Sequence, residues 1–207
     1  VSGTKCSFGT PRYEWLQELH RYLLIWRMNV NLALHLNSDW VENFCAGKTP
    51  PELEKLLNLK DENGLPRFRR IQLNFKVGRD NVPPVETLLQ VLEKYSIPKR
   101  KFIVSHNSAN SKYLSEVFEK FQNLYCLYDD SFGEGVLAER YPPCFGNESV
   151  VQGYAGGFSP DNVMEELEKI SKLLSDSAVF SVDAEGRLKE NGAISLEKCE
   201  NFICRAY

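Results

Sequence analysis

Across 207 residues the chain has no apolar run approaching the roughly 20 residues that span a bilayer, and no charged-then-apolar leader opens it. A soluble protein without a membrane partner is expected. A basic surplus is also lacking. The 25 Lys and Arg face 28 Asp and Glu for a net charge of −3, and the basic residues are spread among the acids. Nucleic acid and anionic membranes reward clustered cations, so neither is expected as a partner. There is no CxxC pair, no histidine at zinc-ligand spacing, no internal repeat and no low-complexity tract. No metal and no cofactor is implied. The six cysteines (Cys6, Cys45, Cys126, Cys144, Cys199, Cys204) are scattered, and a disulfide framework is not expected in a chain this long. They read as reduced thiols in a cytoplasmic setting, with Cys126 and Cys199 packed in the interior. The chain opens on Val and not Met, which leaves room for residues upstream.

What is present is an ordinary globular composition, 43% hydrophobic, at a length that fits one domain over residues 1–207. Short β-branched or apolar runs alternate with longer amphipathic ones, the pattern of an α/β protein with parallel strands. Strands are predicted near Val30–Leu36, Arg70–Phe75, Phe102–His106, Leu124–Asp129, Val150–Ala155 and Val179–Asp183. Helices are predicted at about Tyr13–Arg27, Asp39–Leu57, Pro84–Lys94, Ser111–Phe121, Pro160–Leu174 and Ser195–Ala206. Gly47, Pro50 and Pro51 break the second of these, so Phe44 and Leu53 belong to separate helices.

Strands buried on both faces of a parallel sheet usually read as continuous apolar runs. Here polar residues recur at period two: His35 in "LALHL", Gln72 and Asn74 in "IQLNF", Asp129 in "CLYD", Gln152 and Tyr154 in "VQGYAGG", Ser181 and Asp183 in "FSVD". In an α/β barrel the apolar set faces the helices while the polar set points inward and converges at the carboxyl ends of the strands, where barrel chemistry sits. An open doubly wound sheet whose polar residues satisfy one another fits the pattern equally well.

The stretch "QGYAGGFSPDNV" runs from a strand through Gly156 and Gly157 into a helix start, with Ser159 as cap and Pro160 in the first turn. Glycines there permit positive φ and close backbone approach, and free N–H groups beside a helix start favour an anion. The competing reading is that they only keep the turn tight. "SVDAEGRL" follows one helix later, so two consecutive strands end in glycine-bearing turns, the usual place for a phosphate in a barrel.

The order "LYDDSFGEG", "GYAGGFSPDNV", "SVDAEGRL", "SLEKCENFI" resembles phosphoribosylanthranilate isomerase and its uncharacterised relatives over about residues 124–205. Upstream, "RIQLNF" looks like that family's fourth strand, "VNLALHLNSD" like its third, and "VSGTKCSFGTPRY" like the end of its second with the following loop. The resemblance implies a (β/α)8 barrel whose first strand and helix are absent from this chain. It implies Asp129 as the general acid that opens the ribose ring and Arg12 as the arginine holding the anthranilate carboxylate. Gly156 and Gly157 would form the main-chain phosphate cradle, and Asp183 and Gly186 would fall in the second phosphate-side loop. The implied reaction is an aldose–ketose type rearrangement of a phosphorylated aminosugar without cofactor, run by acid and base groups while the phosphate fixes register. His35, Asn74, Gln152 and Glu185 are further candidates to line the pocket.

Three departures bear on this. The family's basic cysteine belongs to the first strand, so no residue here matches it; neither Cys6 nor Ser2 stands in. Glu185 replaces a small hydroxyl residue beside the phosphate, where it repels a dianion unless Arg187 or Lys189 compensates. Asp130, a third departure, follows Asp129 directly and makes a carboxylate pair that could share a proton or bind a cation, but adjacent strand residues point to opposite faces, so solvation of one of the two is expected. His35 and His106 lie near strand ends, where catalysis competes with a hydrogen-bonded core role, and alternation sets His106 opposite Ser105. His20 reads as a helix-surface residue without a role. Trp15, Trp26 and Trp40 read as helix packing, and "PKRK" (98–101) as a solvated turn. The functional expectation is an isomerase-like barrel protein of unassigned reaction acting on a small phosphorylated molecule. The alternative is a non-catalytic binding or scaffold protein that retains the barrel.

Overall fold

The computed structural model describes residues 12–28, 30, 32–75, 82–131, 134–143, 151–176 and 178–207. The chain divides into two compact units, Val1–Ser105 with Lys112–Leu124, and His106–Ser111 with Tyr125–Tyr207. Cys6 and Cys144 lie outside the described residues.

The first unit runs α1 (Tyr13–Ile25), β1 (Leu32–Leu36), α2 (Ser38–Cys45), α3 (Pro51–Leu57), β2 (Phe68–Leu73), α4 (Val85–Tyr95), β3 (Lys101–His106) and α5 (Ser111–Lys120). The expected break separates α2 from α3, and Pro51 opens α3, where its missing N–H costs nothing. The strands pair in parallel in the order β1-β2-β3. Leu34 lies opposite Ile71 and Ile71 opposite Phe102; Leu36 lies opposite Leu73 and Leu73 opposite Val104. Cross-strand partners share a face, so these six form one apolar surface, and all six are buried. Phe44, Leu53, Leu56, Leu88 and Leu92 from the helices are also fully buried. Each such side chain contributes about 1.5–3 kcal/mol on burial.

Three readings need correcting in this unit. His20 is half-buried and not a free surface residue: its Nδ1 accepts from Arg67 Nε at 3.3 Å. Arg100 of "PKRK" is buried, donating to the carbonyls of Leu57, Phe68 and Tyr95. Lys99, at φ 69°, makes the turn that carries it inward. Trp40 is packed as expected, but Trp15 and Trp26 are exposed.

The second unit contains β4 (Leu124–Tyr128), β5 (Gln152–Ala155), α6 (Val163–Ser171), β6 (Phe180–Asp183), a 3-10 turn (Gly186–Leu188), the hairpin β7 (Lys189–Glu190) and β8 (Ala193–Ile194), and α7 (Leu196–Ala206). β4, β5 and β6 are parallel, with β5 in the middle. Tyr141, Tyr154, Phe158, Val163, Ile170 and Phe202 form its core, with Tyr128, Phe180 and Val182 packed against them.

That core reverses the expected phase of β5. Tyr154 and Gln152 belong to the packed side: both are fully buried, Tyr154 Oη donates to Pro142 O at 2.9 Å, and Gln152 Nε2 donates to Gly153 O at 3.3 Å. Gln152 is therefore an interior residue and not a wall of an open pocket. Helix α6 starts at Val163, three residues later than predicted, because Asn162 holds the preceding turn. Ser195 caps α7, accepting from Lys198 N at 3.4 Å. Cys45 and Cys126 are buried thiols, Cys199 is only half-buried against expectation, and Cys204 is exposed. Burial pushes the Cys45 thiol up to about 12. No helix among the described residues is long and apolar enough to cross a membrane.

Candidate functional site

In the second unit the register decides which side chains share a face. Tyr128 pairs with Tyr154 and Tyr154 with Val182, and all three turn toward the core. Alternation then puts Asp129, Ala155 and Asp183 in one row on the opposite face, with Ala155 and Asp183 directly paired. One row earlier, Leu127 pairs with Gly153 and Gly153 with Ser181. A methyl group on Gly153 would stand 2.8 Å from Leu127 Cδ1 and 3.0 Å from Ser181 Oγ. The middle strand thus presents only small residues between two acid-bearing strand ends.

Asp129 is half-buried, and its Oδ1 accepts from Ser131 N at 3.1 Å and Ser131 Oγ at 2.6 Å. Asp130 turns away, as alternation requires: it is exposed, and its Oδ1 accepts from Ser108 N at 3.3 Å and Ser108 Oγ at 3.2 Å. Asp183 reaches solvent, yet the surrounding protein removes part of its hydration. That desolvation, with the negative charges of Glu185 and Asp129 nearby, raises its carboxyl above the ordinary aspartate range. Glu185 is not left uncompensated, since Lys189 Nζ donates to its Oε1 at 2.7 Å.

The glycine turn adjoins this row. A Cβ on Gly156 (φ 101°) would lie 3.5 Å from Asp129 Oδ1 and 3.3 Å from Ser131 Oγ. The turn is also close to the chain after β4: the same Cβ would be 2.8 Å from Val136 O, and one on Gly157 (φ 72°) only 2.5 Å from Leu137 N. Close backbone packing therefore demands glycine at both positions. Asn162 closes the loop, its Nδ2 donating to Gly157 O at 3.1 Å and its Oδ1 accepting from Ser159 N at 2.8 Å. Among the described residues, the N–H groups of Gly157 and Phe158 donate to no protein acceptor. Gly157 opens onto a depression of about 810 Å³ that is also lined by three cations, Arg187, Lys198 and Arg205, and three carboxylates, Asp161, Glu190 and Glu197. Gly186 stands in open space.

The remaining candidates belong to the first unit. Arg12 is an exposed residue just before α1. His35 lies opposite Gln72, and Asn74 links strand ends: its Nδ2 donates to Asn37 Oδ1 at 2.8 Å and its Oδ1 accepts from Ser105 Oγ at 3.5 Å. His106, assigned to the second unit, is buried with Nε2 2.9 Å from Ser111 Oγ, and desolvation lowers its pKa. Among the described residues no group of three or more His, Cys, Asp or Glu side chains could hold a metal ion. Sequence reasoning missed Ser131, Asn162 and the Val136–Leu137 segment. Only the first two left a local signal, an Asx-type "DDS" and an Asn just before a helix.

Parallel strands in both units, with carboxylates at the carboxyl ends of β4 and β6, define the class: an α/β protein built on parallel strands. Neither a protein-family profile nor a curated protein matches the sequence. Solved structures do. N-(5'-phosphoribosyl)anthranilate isomerase from Pyrococcus furiosus aligns over 100% of this chain and 86% of its own, with a TM-score of 0.54 and 14% identity. The phosphoribosyl anthranilate isomerase from Thermotoga maritima aligns over 97% of this chain and 83% of its own, with a TM-score of 0.56 and 14% identity. The chain has a phosphoribosylanthranilate isomerase-like fold.

Proposed function

We propose that this is an isomerase-like barrel protein performing acid–base chemistry on a small phosphorylated sugar or aminosugar, with Asp129 and Asp183 as its proton-transferring groups. The carrying observation is the Asp129–Ala155–Asp183 row, in which two carboxylates flank a strand of small residues and one has its pKa raised. A carboxyl that holds its proton closer to neutrality is the better general acid, and its partner can serve as base, so the pair supplies both roles without a cysteine. The anionic end of the substrate belongs at the N–H groups of Gly157 and Phe158, with Arg187 and Lys198 across the depression. Arg12, His35 and Asn74 keep their sequence-derived roles as carboxylate-binding and pocket-lining residues, and Gly186 its place in the second phosphate-side loop. In the same proposal residues 1–207 form one cytoplasmic barrel domain, β1 to β6 corresponding to strands three to eight, with no nucleic-acid or membrane partner.

A binding or scaffold protein without chemistry is the second reading. The close packing of Val136 and Leu137 on the glycine pair favours it, since that packing accounts for both glycines without a ligand. Turnover of phosphoribosylanthranilate tests the first reading: the parent should convert it, and Asp129→Asn should lower the rate at least 100-fold, the lower end for loss of a general acid or base. A parent without turnover eliminates that substrate. Inorganic phosphate at millimolar concentration should raise the melting temperature of the parent, and less so that of Arg187→Ala. No shift in either protein eliminates the anion site.

A further inference from the structure

Both donors of Ser131 end on one atom. Its N–H reaches Asp129 Oδ1 at 3.1 Å and its hydroxyl reaches the same oxygen at 2.6 Å. An ionised carboxylate offers about four lone-pair sites, two on each oxygen. The serine therefore fills Oδ1, and among the described residues no donor reaches Oδ2. Nor can the hydroxyl turn elsewhere. Gly135 N donates to Ser131 Oγ at 3.3 Å, which occupies one lone pair of that oxygen and leaves its single proton directed at Asp129. Glu134 N donates to Ser131 O at 3.0 Å and closes the turn that carries this chain of donors.

The stretch is also held from behind, within the same unit. Asp129 N donates to His106 O at 2.9 Å, and Asp130, on the opposite face, accepts from Ser108 N at 3.3 Å and Ser108 Oγ at 3.2 Å. With the backbone held at Asp129 and just past it, the angle of the Asp129 carboxylate is set by Ser131. Gly156 walls the pair on its other side: a Cβ there would lie 3.3 Å from Ser131 Oγ and 3.5 Å from Asp129 Oδ1, so a side chain at that position would crowd the hydroxyl.

We propose that Ser131 is a positioning residue, which by occupying Oδ1 presents Oδ2 of Asp129 to the bound molecule and makes Oδ2 the oxygen that exchanges the proton. This rests on the reading of Asp129 as a proton-transferring group and adds to it the atom involved. A proton leaving the substrate bonds to a lone pair of Oδ2, while the electron pair of the broken bond stays on the substrate. On return the O–H bond breaks and Oδ2 keeps its pair. Without the serine hydroxyl the carboxylate can rotate and present either oxygen. Proton transfer needs the reacting atoms held about 3–3.5 Å apart, and a misplacement of about 1 Å costs on the order of 100-fold.

Infrared spectroscopy and kinetics together test the proposal. With isotope-labelled aspartate carboxyls, the Asp129 bands are isolated by subtracting the spectrum of Asp129→Asn. Two donors on one oxygen make the two C–O bonds unequal and widen the separation between the antisymmetric and symmetric stretches. Ser131→Ala should narrow that separation with an unchanged circular dichroism spectrum, and Ser131→Thr, which keeps both donors, should restore it. In turnover of phosphoribosylanthranilate, Ser131→Ala should lower kcat at least tenfold with KM within about threefold of the parent, and Ser131→Thr should stay within about threefold in both. Bands that Ser131→Ala leaves at the parent separation overturn the proposal. So does an active parent whose kcat Ser131→Ala leaves within about twofold, a result that leaves Asp129 itself in its role. A parent without turnover counts against the substrate reading and not against Ser131, for which the bands then decide alone.

Discussion

Replacing Gly157 with alanine tests how the glycine turn is built. Two costs arise together. At φ 72° an L side chain strains the backbone by about 1–2 kcal/mol. The added methyl would also lie 2.5 Å from Leu137 N and 2.9 Å from the Val136 carbonyl carbon. Those are backbone atoms and cannot swing aside as a side-chain tip would, so overpacking adds about 1–3 kcal/mol. The total loss should be about 2–5 kcal/mol. Two other glycines separate the contributions. Gly192 has φ 80° and open space around its Cβ position, so Gly192→Ala measures strain alone, about 1–2 kcal/mol. Gly186 has open space and no positive φ, so Gly186→Ala should change stability by no more than about 0.5 kcal/mol. Urea melts of the three variants at one pH, with m held to the parent value, give the comparison. If Gly157→Ala loses no more than Gly192→Ala, the Val136–Leu137 segment yields freely. The packing account of the glycine pair is then wrong.

Other perturbations follow from the same contacts. The native state raises the Asp183 carboxyl, so it holds that proton more tightly than the unfolded chain does. The stabilisation is full below the ordinary value of 3.8 and is lost as pH rises through the native value. Asp183→Asn never ionises, so its melting temperature should gain on the parent between acid and neutral pH; a constant difference across that range refutes the raised carboxyl. Tyr141→Phe removes the 2.7 Å hydrogen bond from Tyr141 Oη to buried Glu166 and leaves that carboxylate to Lys169, which should cost about 1–3 kcal/mol in a urea melt. A loss under about 0.5 kcal/mol would show that the hydroxyl is dispensable. Arg100→Met strips the donor from three carbonyls and should cost about 2–4 kcal/mol by the same measurement; an unchanged midpoint would mean that the buried guanidinium is not holding β2, α3 and α4 together.

The strands were legible because each is a short apolar run bounded by polar or turn residues, and β1 to β6 all fall within the predicted ranges or a residue or two of them. The break between α2 and α3 was legible because Gly47, Pro50 and Pro51 act locally. Facing was harder to read. Along β2 and just past its end, polar Gln72 and Asn74 do alternate with buried Ile71 and Leu73. In β5 the same alternation misled, because a glutamine and a tyrosine can be buried when their polar atoms reach backbone carbonyls, as Gln152 and Tyr154 do. The misreading of Arg100 has the same cause: three nearby carbonyls make an interior arginine tolerable, and those carbonyls belong to elements 5 to 43 residues away in sequence. At the site, the Glu185–Lys189 pair was visible because the two lie four residues apart, whereas Ser131, the partner of Asp129, went unread. The approach of Val136 and Leu137 to the glycine turn was not, since it joins positions about twenty residues apart through backbone atoms that any side chain could carry.

The reversed phase of β5 bears on the proposed chemistry as much as on the fold. Had Gln152 and Tyr154 faced the site, a phenol ring would have stood between β4 and β6 at the level of Asp129 and Asp183. With the ring in the core, Gly153 and Ala155 are the β5 residues on that face, and only Ala155 carries a side chain there. The two carboxylates sit on strands separated by one other, so their backbones are roughly 10 Å apart at the usual interstrand spacing. Two carboxyls at that separation do not share a proton directly, as an aspartic dyad does. They still feel each other's charge, which is one of the causes raising Asp183. In the proposed reading, the interior tyrosine and the placement of both acids on the opposite face are therefore consequences of one choice of strand phase.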